Sequence, residues 1–128
     1  MIVCIVDDLI FSVKISTAAK ALGVPVFFER SPDMVLPRIR ETQPSLVIFD
    51  LNSATLRPLE VIAQMKADPG LRDIRTLGYV SHVQTEVIDA ARGAGIDEVL
   101  ARSAFSERLG QILSPPRTTR PAGPGPAG

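Results

Sequence analysis

The feature that most constrains the fold is the opening run Ile2-Val3-Cys4-Ile5-Val6, apolar at every position and closed by Asp7-Asp8. Such a run is too short for a helix, and a strand apolar at every position has both faces covered. Ser45 to Phe49 repeats the pattern, apolar after its serine and closed by Asp50. Runs of this kind form the central strands of a parallel sheet with helices packed on both sides.

The rest of the chain alternates accordingly. Leu9 to Leu22 places Ile10, Val13, Ala18 and Leu22 at helical spacing, and Gly23 reads as the stop. Val24 to Phe28 is a second strand whose Pro25 suits a strand start or a sheet edge. Ser31-Pro32 opens a helix over Asp33 to Thr42, which Pro37 should bend or shorten. After a polar loop, Leu51 to Leu56, Pro58 opens a helix with Leu59, Ile62, Ala63 and Lys66 on one side, and Asp68-Pro69-Gly70 is a turn. Ile74 to Val80 is a fourth strand, weakened by Gly78 and ended by Ser81-His82. Gln84 to Gly93 is a helix, Ile96 to Leu100 a fifth strand, and Ser103 or Ser106 caps a last helix reaching about Leu113. Strand and helix thus alternate five times with short connections, which implies right-handed crossovers. The expected architecture is α/β: a doubly wound, five-stranded parallel sheet of order 2-1-3-4-5 with five helices.

One folded domain is expected over residues 1–113, a size that buries a moderate core without staples. Residues 114–128, SPPRTTRPAGPGPAG, are nearly all Pro, Gly, Ala, Thr and Arg and read as a disordered tail. Basic and acidic residues balance at 14 each, which gives no broad basic field for nucleic acid. The lone Cys4 lies in an apolar run and reads as a small core residue in a reducing compartment. The N-terminus resembles neither a signal peptide nor a membrane span, so a cytoplasmic protein with no membrane contact is expected. Dinucleotide and nucleotide loops of the G-x-G-x-x-G and GK[ST] types are absent.

In an open parallel sheet of this order, sites lie beyond the strand ends at the switch point between the first and third strands. Those strands end in Asp7-Asp8 and Asp50. One such aspartate alone could simply cap the next helix, as Asp8 could before Leu9. Three together repel, and a hard divalent cation such as Mg²⁺ is the usual remedy. The fourth strand ends in Ser81, a hydroxyl donor, and the fifth leads to Arg102, a permanent cation. Carboxylates, a metal, a hydroxyl and a cation make a phosphoryl-binding arrangement with Asp50 as the nucleophile.

These residues resemble the receiver domains of two-component response regulators, which are CheY-like and flavodoxin-like in fold. The resemblance spans Met1 to about Leu113 and rests on IVCIVDD, SLVIFDLN, GYVSH and AGIDEVLARSAF, in order. It implies Asp50 as phosphoacceptor, Asp8 and Asp50 as direct Mg²⁺ ligands, and Asp7 acting through water. Asn52 would lend its backbone carbonyl to the metal, and Ser81 would bond the phosphoryl oxygen and move with it. The chain also departs from the family. Arg102 stands where the family has Lys, and Ser103 where it has Pro. Val99 holds the switch-aromatic position. His82 replaces a small residue and is expected to narrow access to Asp50. Ser53-Ala54-Thr55 replace the usual loop, with Pro58 in its glycine region.

The resemblance implies a phosphorelay receiver that is not an enzyme beyond its own phosphorylation and dephosphorylation. Its partners would be a sensor histidine kinase or phosphotransfer protein and a downstream effector protein. With no effector region after Leu113, output is expected through protein contacts, or the sequence is one domain of a longer chain. A homodimer would use the face of helix four, strand five and helix five, drawing on Val87, Ala91, Ala94, Val99, Ala101, Phe105 and Leu109. The alternative is a phosphorylation-independent pseudo-receiver acting as an interaction module. A phosphatase of the haloacid-dehalogenase type is disfavoured, because Asn52 stands where Asp50-Leu51-Asn52 would need a second Asp.

Overall fold

The computed structural model describes residues 1–81 and 84–114. The sheet strands are β1 (Ile2–Ile5), β2 (Val26–Phe28), β3 (Leu46–Asp50), β4 (Arg75–Val80) and β5 (Glu98–Ala101). They run parallel in the order β2-β1-β3-β4-β5, as the sequence implies. The helices are α1 (Leu9–Leu22), α2 (Val35–Thr42), α3 (Pro58–Ala67), α4 (Thr85–Ala94), α5 (Arg102–Glu107) and α6 (Leu109–Leu113). No helix among the described residues is long and apolar enough to cross a membrane.

The continuous apolar runs are explained by two cores, one on each face of the sheet. Alternate residues of β1 and β3 serve each: Val3, Ile5, Val47 and Phe49 face the layer of α2, α3 and α4, whereas Ile2, Cys4, Leu46 and Ile48 face α1, α5 and α6. Cys4 is fully buried, and burial pushes its thiol up to about 12, so it behaves as the small core residue expected.

Several local readings need correction. In α1 the buried stripe is Phe11, Ile15 and Ala19, while Ile10, Val13 and Leu22 are exposed. In α3 it is Val61, Ile62 and Met65, with Ala63 outside. The helix expected over Asp33 to Thr42 is shortened at its start, where a 3-10 turn over Pro32–Met34 delays α2 until Val35. Pro37 then falls in the first turn, where its missing N–H costs nothing. The expected last helix is two short ones that meet at Arg108, and neither Ser103 nor Ser106 caps it: α5 starts directly at Arg102. Of the face suggested for dimers, Ala91, Phe105 and Leu109 are core residues.

Gly78 is a packing requirement rather than a flaw in β4. A Cβ there would lie 2.7 Å from Leu51 Cδ1 and 2.9 Å from Ile96 Cδ1. Leu51 directly follows Asp50 and is 6% exposed. Gly78→Ala is therefore expected to cost roughly 1–3 kcal/mol in chemical denaturation, because Leu51 has no open space to move into. A cost below about 0.5 kcal/mol would show that Leu51 repacks freely.

Candidate functional site

β1 and β3 are adjacent and in register from Ile2↔Leu46 to Ile5↔Phe49, so the residues just past them emerge at one edge of the sheet. That edge carries Asp7 and Asp8 from the first strand and Asp50 from the third. Asp50 is 4% exposed. Burial pushes its carboxyl above the usual carboxylate range, the Asn52 N–H draws it back, Asp7 and Asp8 push it up again, and Arg102 draws it down; the net direction is up. The three acids thus share one electrostatic site.

Each carboxylate has a protein partner. Asp8 is the N-cap of α1, and its Oδ1 accepts from the N–H groups of Ile10 at 2.9 Å and Phe11 at 3.4 Å. Its Oδ2 lies 3.5 Å from an Arg102 guanidinium nitrogen. Asp7 Oδ2 accepts from Ser53 Oγ at 2.9 Å, and Ser53 Oγ in turn accepts from Leu56 N–H at 3.2 Å. Asp50 Oδ1 accepts from Asn52 N–H at 2.9 Å. Among the described residues no three His, Cys, Asp or Glu side chains are spaced as a preformed metal cage.

Arg102 is placed by an aromatic stack that sequence reasoning missed. Tyr79 lies between Phe11 and Phe105, with centroids 4.9 and 4.7 Å away. The Arg102 guanidinium sits 4.9 Å from the Phe11 ring centroid. Its Nε and the Tyr79 hydroxyl are buried and have no hydrogen-bond partner among the described residues. Burial and then the charges of Asp50 and Asp8 push the Tyr79 phenol up, so it stays neutral. In the sequence Phe105 reads as part of a dimer face, and Phe11 and Tyr79 give no local signal of the stack.

Asn52 does more than sequence reasoning assigned to it. Beyond its backbone position, its side-chain Oδ1 accepts from Ser81 N–H at 2.7 Å and its Nδ2 donates to Gln84 Oε1 at 2.6 Å. Ser81 thus lies beside the acceptor loop. Val99 packs against the core on the α3–α4 face, away from the aromatic stack. His82 falls outside the described residues, as does the sequence beyond Ser114. A hollow of about 660 Å³, lined by Met1, Gly23, Pro25, Arg75 and Leu113 among others, opens at the opposite end of the strands and gathers no cluster of reactive side chains. The clustered charged groups lie at the acidic edge instead.

The carboxyl set is what Mg²⁺ prefers: hard oxygens, few of them, with room for water. The unrelieved repulsion on Asp50 fits a cation there. It also predicts a stability effect. A raised carboxyl holds its proton longer when folded, so its destabilisation is absent below the ordinary value of 3.8 and complete above the raised one. Asp50→Asn is expected to raise the Tm by a few degrees at neutral pH in metal-free buffer, with the gain vanishing near pH 3. An equal gain at both pH values would show that ionisation is not the cause.

No family model and no curated protein matches the sequence. Solved structures do match the fold. The phosphorylated cyanobacterial phytochrome response regulator RcpA is 22% identical, covers 88% of this chain and 86% of its own, and superposes with a TM-score of 0.72. A response regulator from Hahella chejuensis is 14% identical over 88% of this chain and 90% of its own, with a TM-score of 0.78. The receiver domain of a sensor histidine kinase from Pseudomonas aeruginosa, with a magnesium ion coordinated in its active-site cleft, is 15% identical over 88% of this chain and 92% of its own, with a TM-score of 0.76. The chain therefore has the fold of response-regulator receiver domains.

Proposed function

We propose that this domain is a phosphorelay receiver that accepts a phosphoryl group on Asp50. The observation that carries the reading is a buried carboxylate at the end of β3, pressed by Asp7 and Asp8 and faced by Arg102. Asn52 N–H fixes Oδ1, so the nucleophile is Oδ2. The Oδ2–P bond forms as the donor's P–N or P–O bond breaks, and the leaving atom takes the electron pair and a proton from water. Asp8, Asp50 and the Asn52 carbonyl would hold Mg²⁺, with Asp7 reaching it through water; its charge would offset that on the phosphoryl oxygens. Arg102 would shift from Asp8 to the phosphoryl group, and Ser81 would bond a phosphoryl oxygen. The donor would be a sensor histidine kinase or phosphotransfer protein, and the reader an effector protein. The reading places the domain in the cytoplasm; among the described residues no helix is long and apolar enough to cross a membrane.

A pseudo-receiver is the second reading, and two observations favour it. Arg102 already neutralises Asp8, and the exposed Leu9, Ile10 and Val13 beside the acidic edge offer a contact surface that needs no phosphate.

Incubation with acetyl phosphate and Mg²⁺, followed by phosphate-affinity electrophoresis, separates the two. A retarded band that Asp50→Ala abolishes is expected; a wild type without that band refutes the phosphorelay reading. Arg102→Gln is expected to bind Mg²⁺ about two- to fivefold more tightly, since breaking a part-exposed ion pair releases Asp8 at that scale. It should also lower the phosphorylation rate. Weaker Mg²⁺ binding in this variant would mean that Arg102 orders the site rather than competing for it.

A further inference from the structure

The Asn52 carboxamide reaches two residues of the β4–α4 connection, 29 and 32 positions further along the chain. Its Oδ1 holds the Ser81 N–H at the end of β4, and its Nδ2 holds Gln84 Oε1. Gln84 occupies the N-cap position of α4, yet its side chain makes no cap bond to the helix. Its acceptor oxygen is turned to Asn52 instead. The other end of Asn52 is tied to the acceptor, because its N–H donates to Asp50 Oδ1. Leu51 between them is fixed, its N–H donating to Tyr79 O at 3.0 Å and its side chain filling the space over Gly78. One residue therefore joins the Asp50 carboxylate, the end of β4 and the start of α4 through three hydrogen bonds.

We infer that Asn52 is a positioning residue through which the state of the Asp50 carboxylate is read at the start of α4. The trigger rests on the reading of Asp50 as acceptor; the clamp itself does not. A bond to a carboxylate is about twice as strong as one to a neutral carbonyl oxygen. Esterifying Asp50 removes the formal charge that the Asn52 N–H faces, so that bond weakens. The carboxamide can then re-aim, and Ser81 and Gln84 move with it. The clamp is exposed to solvent, which keeps its bonds weak enough to exchange readily.

The test is amide exchange and shift mapping by NMR on the whole chain. Asn52→Ala should speed exchange at Ser81 about tenfold, and Asp50→Ala should speed it severalfold through loss of the anchor, while Ile48 and Leu77 in the sheet stay unchanged. Addition of Mg²⁺ and beryllofluoride, a phosphoryl mimic, should shift Leu51 to Ser53 and also Thr85 to Val87 in the wild type. Gln84→Met, which lacks the acceptor oxygen, should keep the first set of shifts and lose at least half of the second. Gln84→Glu, which retains an acceptor, should keep both. Ser81 exchange unaltered in Asn52→Ala, or α4 shifts of wild-type size in Gln84→Met, overturns the inference. A wild type without shifts at Leu51 to Ser53 refutes the phosphoacceptor reading instead. The clamp then stands or falls on Asp50→Ala, where unaltered Ser81 exchange overturns it.

Discussion

The structure depends on the parallel pairing of β1 with β3. That pairing fixes the register, and the register sets Asp7 and Asp8 beside Asp50. Burial first, and then the like charges of Asp7 and Asp8, push the Asp50 carboxyl up, so the placement carries a cost. The fold accepts it because both faces of the two strands are buried, so a slip by one residue would turn each core residue to the wrong layer. The hydrophobic pattern thus holds the acids together against their repulsion.

The surrounding groups manage that charge. Asp8 is spent partly on the first turn of α1 and partly on Arg102, and Asp7 on Ser53. The Phe11–Tyr79–Phe105 stack presents an aromatic face on which the Arg102 guanidinium rests. Arginine suits that position better than lysine would, since its planar, weakly hydrated head tolerates stacking and partial burial. Arg102 thus goes with this aromatic support and is turned toward Asp8.

Much of the fold and the location of the site were readable in the sequence, because they rest on local signals. Continuous apolar runs gave the central strands, Gly23 the αL end of α1, and the aspartates closing two runs the switch-point edge. The misread features are those that local spacing leaves degenerate. Ile10 and Val13 fit a helical stripe as well as Phe11, Ile15 and Ala19 do, and only the partners Tyr79 and Phe105 select the second set. Gly78 weakened β4 as a pattern, although the neighbouring Leu51 requires it. The bonds from Ser53 to Asp7 and from Asn52 to Ser81 and Gln84 join residues 46, 29 and 32 positions apart, beyond any local motif. The polar stretch Leu51 to Leu56 placed a loop there but could not say what its side chains reach.

The central claim is that these acids form a single cation site at one sheet edge, and paramagnetic broadening by Mn²⁺ tests it most directly. At substoichiometric Mn²⁺ the account predicts selective loss of the amide signals of Asp7, Asp8, Asp50 to Ser53 and Ser81, reversed by excess Mg²⁺. Broadening that instead follows exposed surface carboxylates such as Asp33 and Glu41, with the Asp50 loop intact, would contradict it.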